Sequence, residues 1–252
     1  MRIVVVGGSG NAGSAIVRAI GRRGELPTPM SRSGRAIAGA PGVKADVVTG
    51  EGLDAALSGA DVVVDALNSR NPLDLRPFTI GTRNLVQAAE RAGVGRVVLL
   101  SILGVERSRL GYHRRKRQQE LAYLESPLEV SVVRAAQFHE WSVDQFEAGS
   151  ALGAIPVALG GRLQPVAVSE VAALVAQEAL EPTGKRFTEI AGPEVRVSRD
   201  LAKSWQRITG ARGLIVNGPF PPSLLDYLRS GANLTEQHKG SITFEEWLER
   251  RR

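Results

Sequence analysis

The sequence predicts an α/β protein built on a doubly wound, Rossmann-type parallel sheet with a small C-terminal substrate-binding portion. Three observations lead there. Apolar, β-branched runs recur at Ile3 to Val6, Val62 to Leu67, Val97 to Leu100 and Val130 to Val133. Alanine-rich stretches with helical spacing separate these runs, the pattern of a parallel sheet covered on both faces. Gly7, Gly10 and Gly13 stand at the first strand-to-helix junction.

The first helix has Ala12, Ala15, Ile16, Ala19 and Ile20 repeating at three and four residues, with Arg18, Arg22 and Arg23 at other positions, and Gly24 as its stop. The second strand is expected within Leu26 to Arg32, where Pro27 and Pro29 remove two donors on one side, so it should be short or irregular. "VKADV" follows as another short strand. A second clear helix covers about Thr82 to Ala92, with Leu85, Val86, Ala88 and Ala89 inward and Gly93 after it. Beyond Phe138 the alternation fades into smaller elements: Arg162 to Val168, a helix from Ser169 to Glu181, and another around Leu201 to Thr209. "GPFPPS" reads as a turn-rich connection, and "TFEEWLERRR" as a capped helix that docks Phe244, Trp247 and Leu248. The expected organisation is a single Rossmann-type domain over residues 1–252. Within it, 1–138 form the cofactor-binding core, and 139–252 supply mainly substrate-side elements and the closing helix.

Composition narrows the function. With 43% apolar and 23% charged residues in 252, the chain can bury a core, which excludes a disordered protein. It has no cysteine, which excludes disulfides, thiolate zinc sites and a cysteine nucleophile. His113, His139 and His238 are widely spaced, so no metal is expected. A net charge of +6 invites nucleic-acid binding, which needs basic residues gathered on one surface. The densest cluster, "RRKR" at Arg114 to Arg117, reads as a solvated helix face with one functional member, and no nucleic-acid partner is expected. The longest apolar runs fall short of a membrane span, and the N-terminus carries no leader pattern. A cytoplasmic protein acting on a small molecule, as a monomer or homodimer without a membrane partner, is the expectation.

The glycine turn carries the first functional signal. Gly7 permits the tight turn, Gly10 lets backbone N–H groups approach a pyrophosphate, and Gly13 lets helix and strand pack closely; Ser9, Asn11 and Ala12 complete the turn. The helix N-terminus then offers its positive dipole end to the anion. Which dinucleotide binds depends on the end of the second strand. An acidic residue there would take the ribose 2′-hydroxyl, but the sequence reads "MSRSG", and Glu25 comes too early. Arg32, flanked by Ser31 and Ser33, suits a 2′-phosphate, so NADP(H) is expected; the plain alternative makes Arg32 one surface arginine among many. Asp46 has two readings, a contact to the adenine edge or a strand-end turn residue. Ala66, Leu67 and Asn68 end the fourth strand on the ligand side, and Asp65 reads as a strand residue satisfied by local hydrogen bonds.

Tyr112 and Lys116 lie one helical turn apart on one face, and Ser101 ends the preceding strand "RVVLLS". A tyrosine hydroxyl can protonate a carbonyl oxygen that gains charge as hydride arrives, but an ordinary phenol is a sluggish acid. A neighbouring ammonium would lower its pKa and hold the nicotinamide ribose, and Ser101 would position the substrate carbonyl. The plain alternative makes Tyr112 a helix-start anchor and Lys116 one more member of a solvated basic run.

Together "VVVGGSGNAG", "SRS", "GTRNLVQAAERAGVGRVVLLSILGV", "GYHRRK" and "VVRAAQFHE" make the chain resemble an atypical short-chain dehydrogenase/reductase of the NmrA-like, NAD(P)-binding branch. The ending "GSITFEEWL" is also similar to the closing helix of bacterial members. The resemblance implies a Rossmann sheet, NADP(H) at Gly7, Gly10, Gly13 and Arg32, and a substrate cleft bordered by Gln137, Phe138 and His139. His139 would donate to a substrate or pack as a loop histidine. Members carry paired serines where this chain has Ser101 and Ile102, and Arg-Pro where it has Arg134 and Ala135. The expected function is an NADP(H)-dependent reductase of a carbonyl or activated double bond on a small, largely apolar molecule. Two rivals stand beside it: an NADP(H)-binding redox sensor without turnover, and a nucleotide-sugar epimerase or dehydratase.

Overall fold

Four β-branched residues in a row, all buried, make β1 (Ile3–Val6) an interior strand, covered on both faces. The computed structural model describes residues 1–69 and 74–251. In chain order β1 is followed by α1 (Asn11–Arg22), β2 (Thr28–Ser31), β3 (Val43–Lys44), α2 (Leu53–Leu57), β4 (Val62–Asp65) and α3 (Ile80–Arg91). Next come β5 (Arg96–Ile102), α4 (Gly111–Leu124), β6 (Glu129–Ala135), α5 (His139–Ser150), β7 (Ala154–Val157), β8 (Arg162–Leu163) and α6 (Val168–Leu180). The chain ends with β9 (Phe187–Ala191), β10 (Arg196–Val197), α7 (Ser198–Thr209), β11 (Leu214–Asn217), α8 (Pro222–Ser230), β12 (His238–Lys239) and α9 (Phe244–Arg250).

The chain forms two compact units. Unit 1 holds residues 1–101, 111–133 and 168–188; unit 2 holds 102–110, 134–167 and 189–252. The sequence predicts one division, at residue 138, yet α6 belongs to unit 1. The reason is packing: α6 buries Val171, Ala172, Val175 and Ala176, and it packs against α1, where Gly13, Ala15 and Ala19 permit close approach.

In unit 1 the strands run in the order β3, β2, β1, β4, β5, β6, with the first two residues of β9, Phe187 and Thr188, next to β6. Those pairing β1 with β2, β1 with β4, β4 with β5 and β2 with β3 are parallel. This is the doubly wound α/β sheet, and its order reverses between β1 and β4, where ligands lie in such folds. The register sets Val6 beside Asp65 and Asp65 beside Leu99. Val4, Val6, Val63, Leu85, Val97, Leu99 and Val132 lie in the core. As expected, β2 is short: Pro27 falls before it, Pro29 lies within it opposite Val5, and it pairs with only two residues of β3. Helix α3 begins at Ile80, two residues ahead of the expected start, and buries the expected Leu85, Val86, Ala88 and Ala89.

Unit 2 has its own core of Val143, Phe146, Ile155, Leu201, Trp205, Tyr227, Leu228, Phe244 and Leu248. Its small sheets pair β7 with β11 and β8 with β10, and β12 continues the end of β9. The closing helix α9 starts with a reciprocal cap between Thr243 and Glu246 and buries Phe244 and Leu248. Among the described residues, no helix is long and apolar enough to cross a membrane.

Candidate functional site

The glycine turn is shaped by close backbone approaches. Gly7 adopts a left-handed φ of +72°, and a Cβ there would sit 2.9 Å from the Ala66 carbonyl oxygen. A Cβ on Gly13 would sit 2.1 Å from the Gly7 oxygen, so turn and helix meet without room for a side chain. Gly8, which the sequence reading passes over, donates its N–H to Met30 O at 3.1 Å and lies against Pro29. Gly10 is the N-cap of α1 in an extended conformation, with no side-chain cap and no acidic residue in the first turn. The first N–H groups of α1 therefore face outward uncapped at the strand-order reversal, a cradle that fits a dinucleotide pyrophosphate.

Arg32 and Ser33 are exposed just past β2, with Ser31 Oγ and Ser33 Oγ 3.2 Å apart. Asp74 lies within electrostatic reach. Arg76 grips it with two bonds of 2.8 and 3.0 Å, and that bond, with a smaller pull from Arg32, holds its carboxyl below the usual range. Asp46 is occupied as a turn residue: its Oδ1 accepts from Val48 N at 2.8 Å.

Helix α4 carries both Tyr112 and Lys116. Tyr112 donates its hydroxyl to Asn68 Oδ1 at 3.0 Å and sets its ring edge-on to Phe78, 5.4 Å between centroids. Lys116 is buried, although Arg114 and Arg115 around it are exposed, so the basic run is a solvated face with one inward member. Its Nζ donates to Leu100 O at 2.9 Å and to Gln119 Oε1, and lies 5.2 Å above the Phe78 ring. An ammonium has three donors, which leaves one for a ligand. Burial pushes Lys116 down to about 8, opposed by the carboxylates of Asp65 and Glu120.

One expectation is corrected here. Lys116 does not lower the Tyr112 phenol, which burial around the ring pushes up to about 12. The ammonium is turned toward Leu100 and Gln119 instead, and Phe78 touches both side chains. Asp65 is satisfied, but by more than local bonds. Leu67 N donates to its Oδ1 at 2.9 Å, and Gln119 and Tyr123 donate to its Oδ2 at 2.9 and 2.7 Å. Burial pushes its carboxyl up, against the pull of Lys116 and these bonds. Phe78, Gln119 and Tyr123 are the residues that sequence reasoning missed. A signal existed: Lys116, Gln119 and Tyr123 follow at three- and four-residue spacing, a polar stripe on one helix face.

Ser101, at the end of β5, is 3% exposed, and its Oγ has no hydrogen-bond partner among the described residues. It follows Leu100, whose carbonyl receives Lys116, so the two groups share one strand end. Ala66 is buried, Leu67 half-buried and Asn68 exposed at the end of β4. In unit 2, Gln137 and Phe138 are half-buried and tied by backbone to Val166. His139 is fully buried against Phe244 and Trp247, its Nε2 3.3 Å from Ile242 O, and burial pushes it down to about 4. Its Nδ1 has no hydrogen-bond partner among the described residues. Among the described residues, no three His, Asp or Glu side chains gather as a metal site.

Residues 7–182 match the NAD(P)H-binding family. The Photosystem II assembly factor Ycf39 of Synechocystis sp. is 26% identical over 249 residues, covering 91% of this chain and 74% of that protein. The NADPH-dependent quinone oxidoreductase of Escherichia coli, solved with NADPH, superposes with a TM-score of 0.82 at 19% identity over 99% of both chains. The triphenylmethane reductase of Citrobacter sp., solved with NADP(H), gives 0.81 at 17% identity, again over 99% of both.

Proposed function

The chain belongs to the NAD(P)H-binding family, and from that premise we propose that it is an NADP(H)-dependent oxidoreductase. It reduces a carbonyl or activated double bond of a small, largely apolar molecule. The observation that carries this reading is the end of β5, where a buried ammonium with one donor to spare bonds the Leu100 carbonyl, one residue before the unpartnered Ser101 hydroxyl. A buried unpaired hydroxyl is costly unless a ligand completes it.

A bound nicotinamide cofactor supplies the hydride. Gly7, Gly10 and Gly13 with the uncapped start of α1 hold its pyrophosphate, and Arg32 with Ser31 and Ser33 receives the 2′-phosphate, which favours NADP(H). Lys116 gives its remaining N–H to the nicotinamide ribose. Ser101 donates to the substrate oxygen and orients it. A phenol near 12 stays protonated at neutral pH, so Tyr112 acts as a donor whose proton moves to the substrate oxygen only as charge develops there. It exchanges its present bond to Asn68 for that oxygen.

The test is NADPH oxidation by the purified protein with a panel of ketones, quinones and enones, with NADH in parallel. Turnover should favour NADPH and fall about 10²- to 10⁴-fold in Tyr112→Phe. No oxidation above background across the panel, or equal rates in both proteins, overturns the reading. A second reading is binding of NADP(H) without turnover, in a protein that serves a partner. The commitment of the Tyr112 proton to Asn68 favours it, as does likeness to a protein named an assembly factor. It predicts cofactor binding with a silent panel.

A further inference from the structure

Asp65 lies fully buried at the end of β4, flanked by Val6 of β1 and Leu99 of β5, and takes no part in the steps above. Val62, Val63 and Val64 before it are apolar, and an apolar residue would complete the strand at lower cost than a buried carboxylate. Its bonds lead to the reactive groups by two routes. Gln119 donates its amide to Asp65 Oδ2 at 2.9 Å and turns its carbonyl to Lys116 Nζ, so one side chain links carboxylate to ammonium. Leu67 donates its N–H to Asp65 Oδ1 at 2.9 Å, which fixes the turn carrying Asn68, the acceptor of the Tyr112 hydroxyl. Tyr123 closes the network from behind at 2.7 Å.

We propose that Asp65 is a positioning residue for the Tyr112–Lys116 pair: through Gln119 it orients and counter-charges the ammonium, and through Leu67 and Asn68 it orients the phenol. The inference rests on the functional reading above, in which Lys116 holds the cofactor ribose. The groups that face Lys116 are Asp65 from β4, Glu120 from α4, the Leu100 carbonyl from β5 and the Phe78 ring ahead of α3. Glu120 is engaged by Arg117 at 2.8 Å, which leaves Asp65 as the main counter-charge. Asp65 therefore keeps Lys116 protonated to higher pH than burial alone would allow.

The test is the dissociation constant of NADPH as a function of pH, read by cofactor fluorescence, for the wild type, Asp65→Asn and the exchange variant Asp65→Asn/Gln119→Glu. Removing the counter-charge lowers the Lys116 pKa, so in Asp65→Asn the alkaline loss of affinity should begin about one pH unit lower. The exchange variant returns a carboxylate to Lys116 and should move that limb back up, a recovery that a merely structural role would not produce. If Asp65→Asn does not fold, Gln119→Leu cuts the same link from the ammonium side and should shift the limb the same way. A limb that coincides with the wild type in every folded variant overturns the inference and leaves the functional reading standing. A wild type that binds no NADPH at any pH overturns both.

Discussion

Helices α1 and α4 both lie in unit 1, with 12 and 14 residues, and the side chains they bury differ in kind. Helix α1 buries Gly13, Ala15, Ile16, Val17, Ala19 and Ile20; helix α4 buries His113, Lys116, Gln119, Glu120 and Tyr123. The first is held by close packing and apolar area removed from water, which need no particular bonding partner. The second is held by hydrogen bonds and a counter-charge, which demand specific partners at specific distances. Placing a glycine turn needs only the first kind of attachment. Placing a phenol and an ammonium needs the second.

Substitution and pH probe that contrast. The largest effect is expected from Ile16→Ala, which opens a cavity under α1 and should cost about 2–5 kcal/mol in denaturant unfolding, nearly the same at pH 5 and pH 7. A loss that differs clearly between the two pH values would mean that α1 also depends on a titrating group. Acidification should act on the other side of the comparison. Burial pushes His113 on α4 and His139 in unit 2 down to about 4, whereas both take a proton near 6.5 when unfolded. The unfolded chain then binds more protons between those values, so stability falls as pH drops through that window, by on the order of 3 kcal/mol for each histidine. His113→Gln should remove the α4 share of this slope, and an unchanged slope would refute the assignment. The smallest effect is Tyr123→Phe, which leaves Asp65 with two donors and should cost about 1–2 kcal/mol, measured by thermal unfolding. A neutral result would show that Gln119 and Leu67 suffice.

The same contrast explains what was legible beforehand. The strands β1, β4, β5 and β6, the helices α1 and α3 with Gly24 and Gly93 just beyond them, and the short β2 all follow from periodicity and from glycine and proline. Asp46 and His139 each allow two readings from the sequence, and the structure shows Asp46 Oδ1 bound to Val48 N and His139 packed against Phe244 and Trp247. The return of α6 to unit 1 is not legible in the sequence, because which apolar face meets which depends on contacts between helices far apart along the chain, α1 at residues 11–22 and α6 at 168–180.

Residue types and spacing alone determined the doubly wound α/β class and the glycine cradle, because steric and burial rules act locally along the chain. They also brought Tyr112 and Lys116 onto one helix face, since that pair is separated by a single turn. The tertiary structure decided the direction in which Lys116 points, the bond from Tyr112 to Asn68, and the linkage of Asp65 to both through Gln119 and Leu67. Such arrangements depend on the burial of charge and on partners from different strands. A side chain's proton affinity is therefore set by neighbours that its own stretch of sequence does not contain.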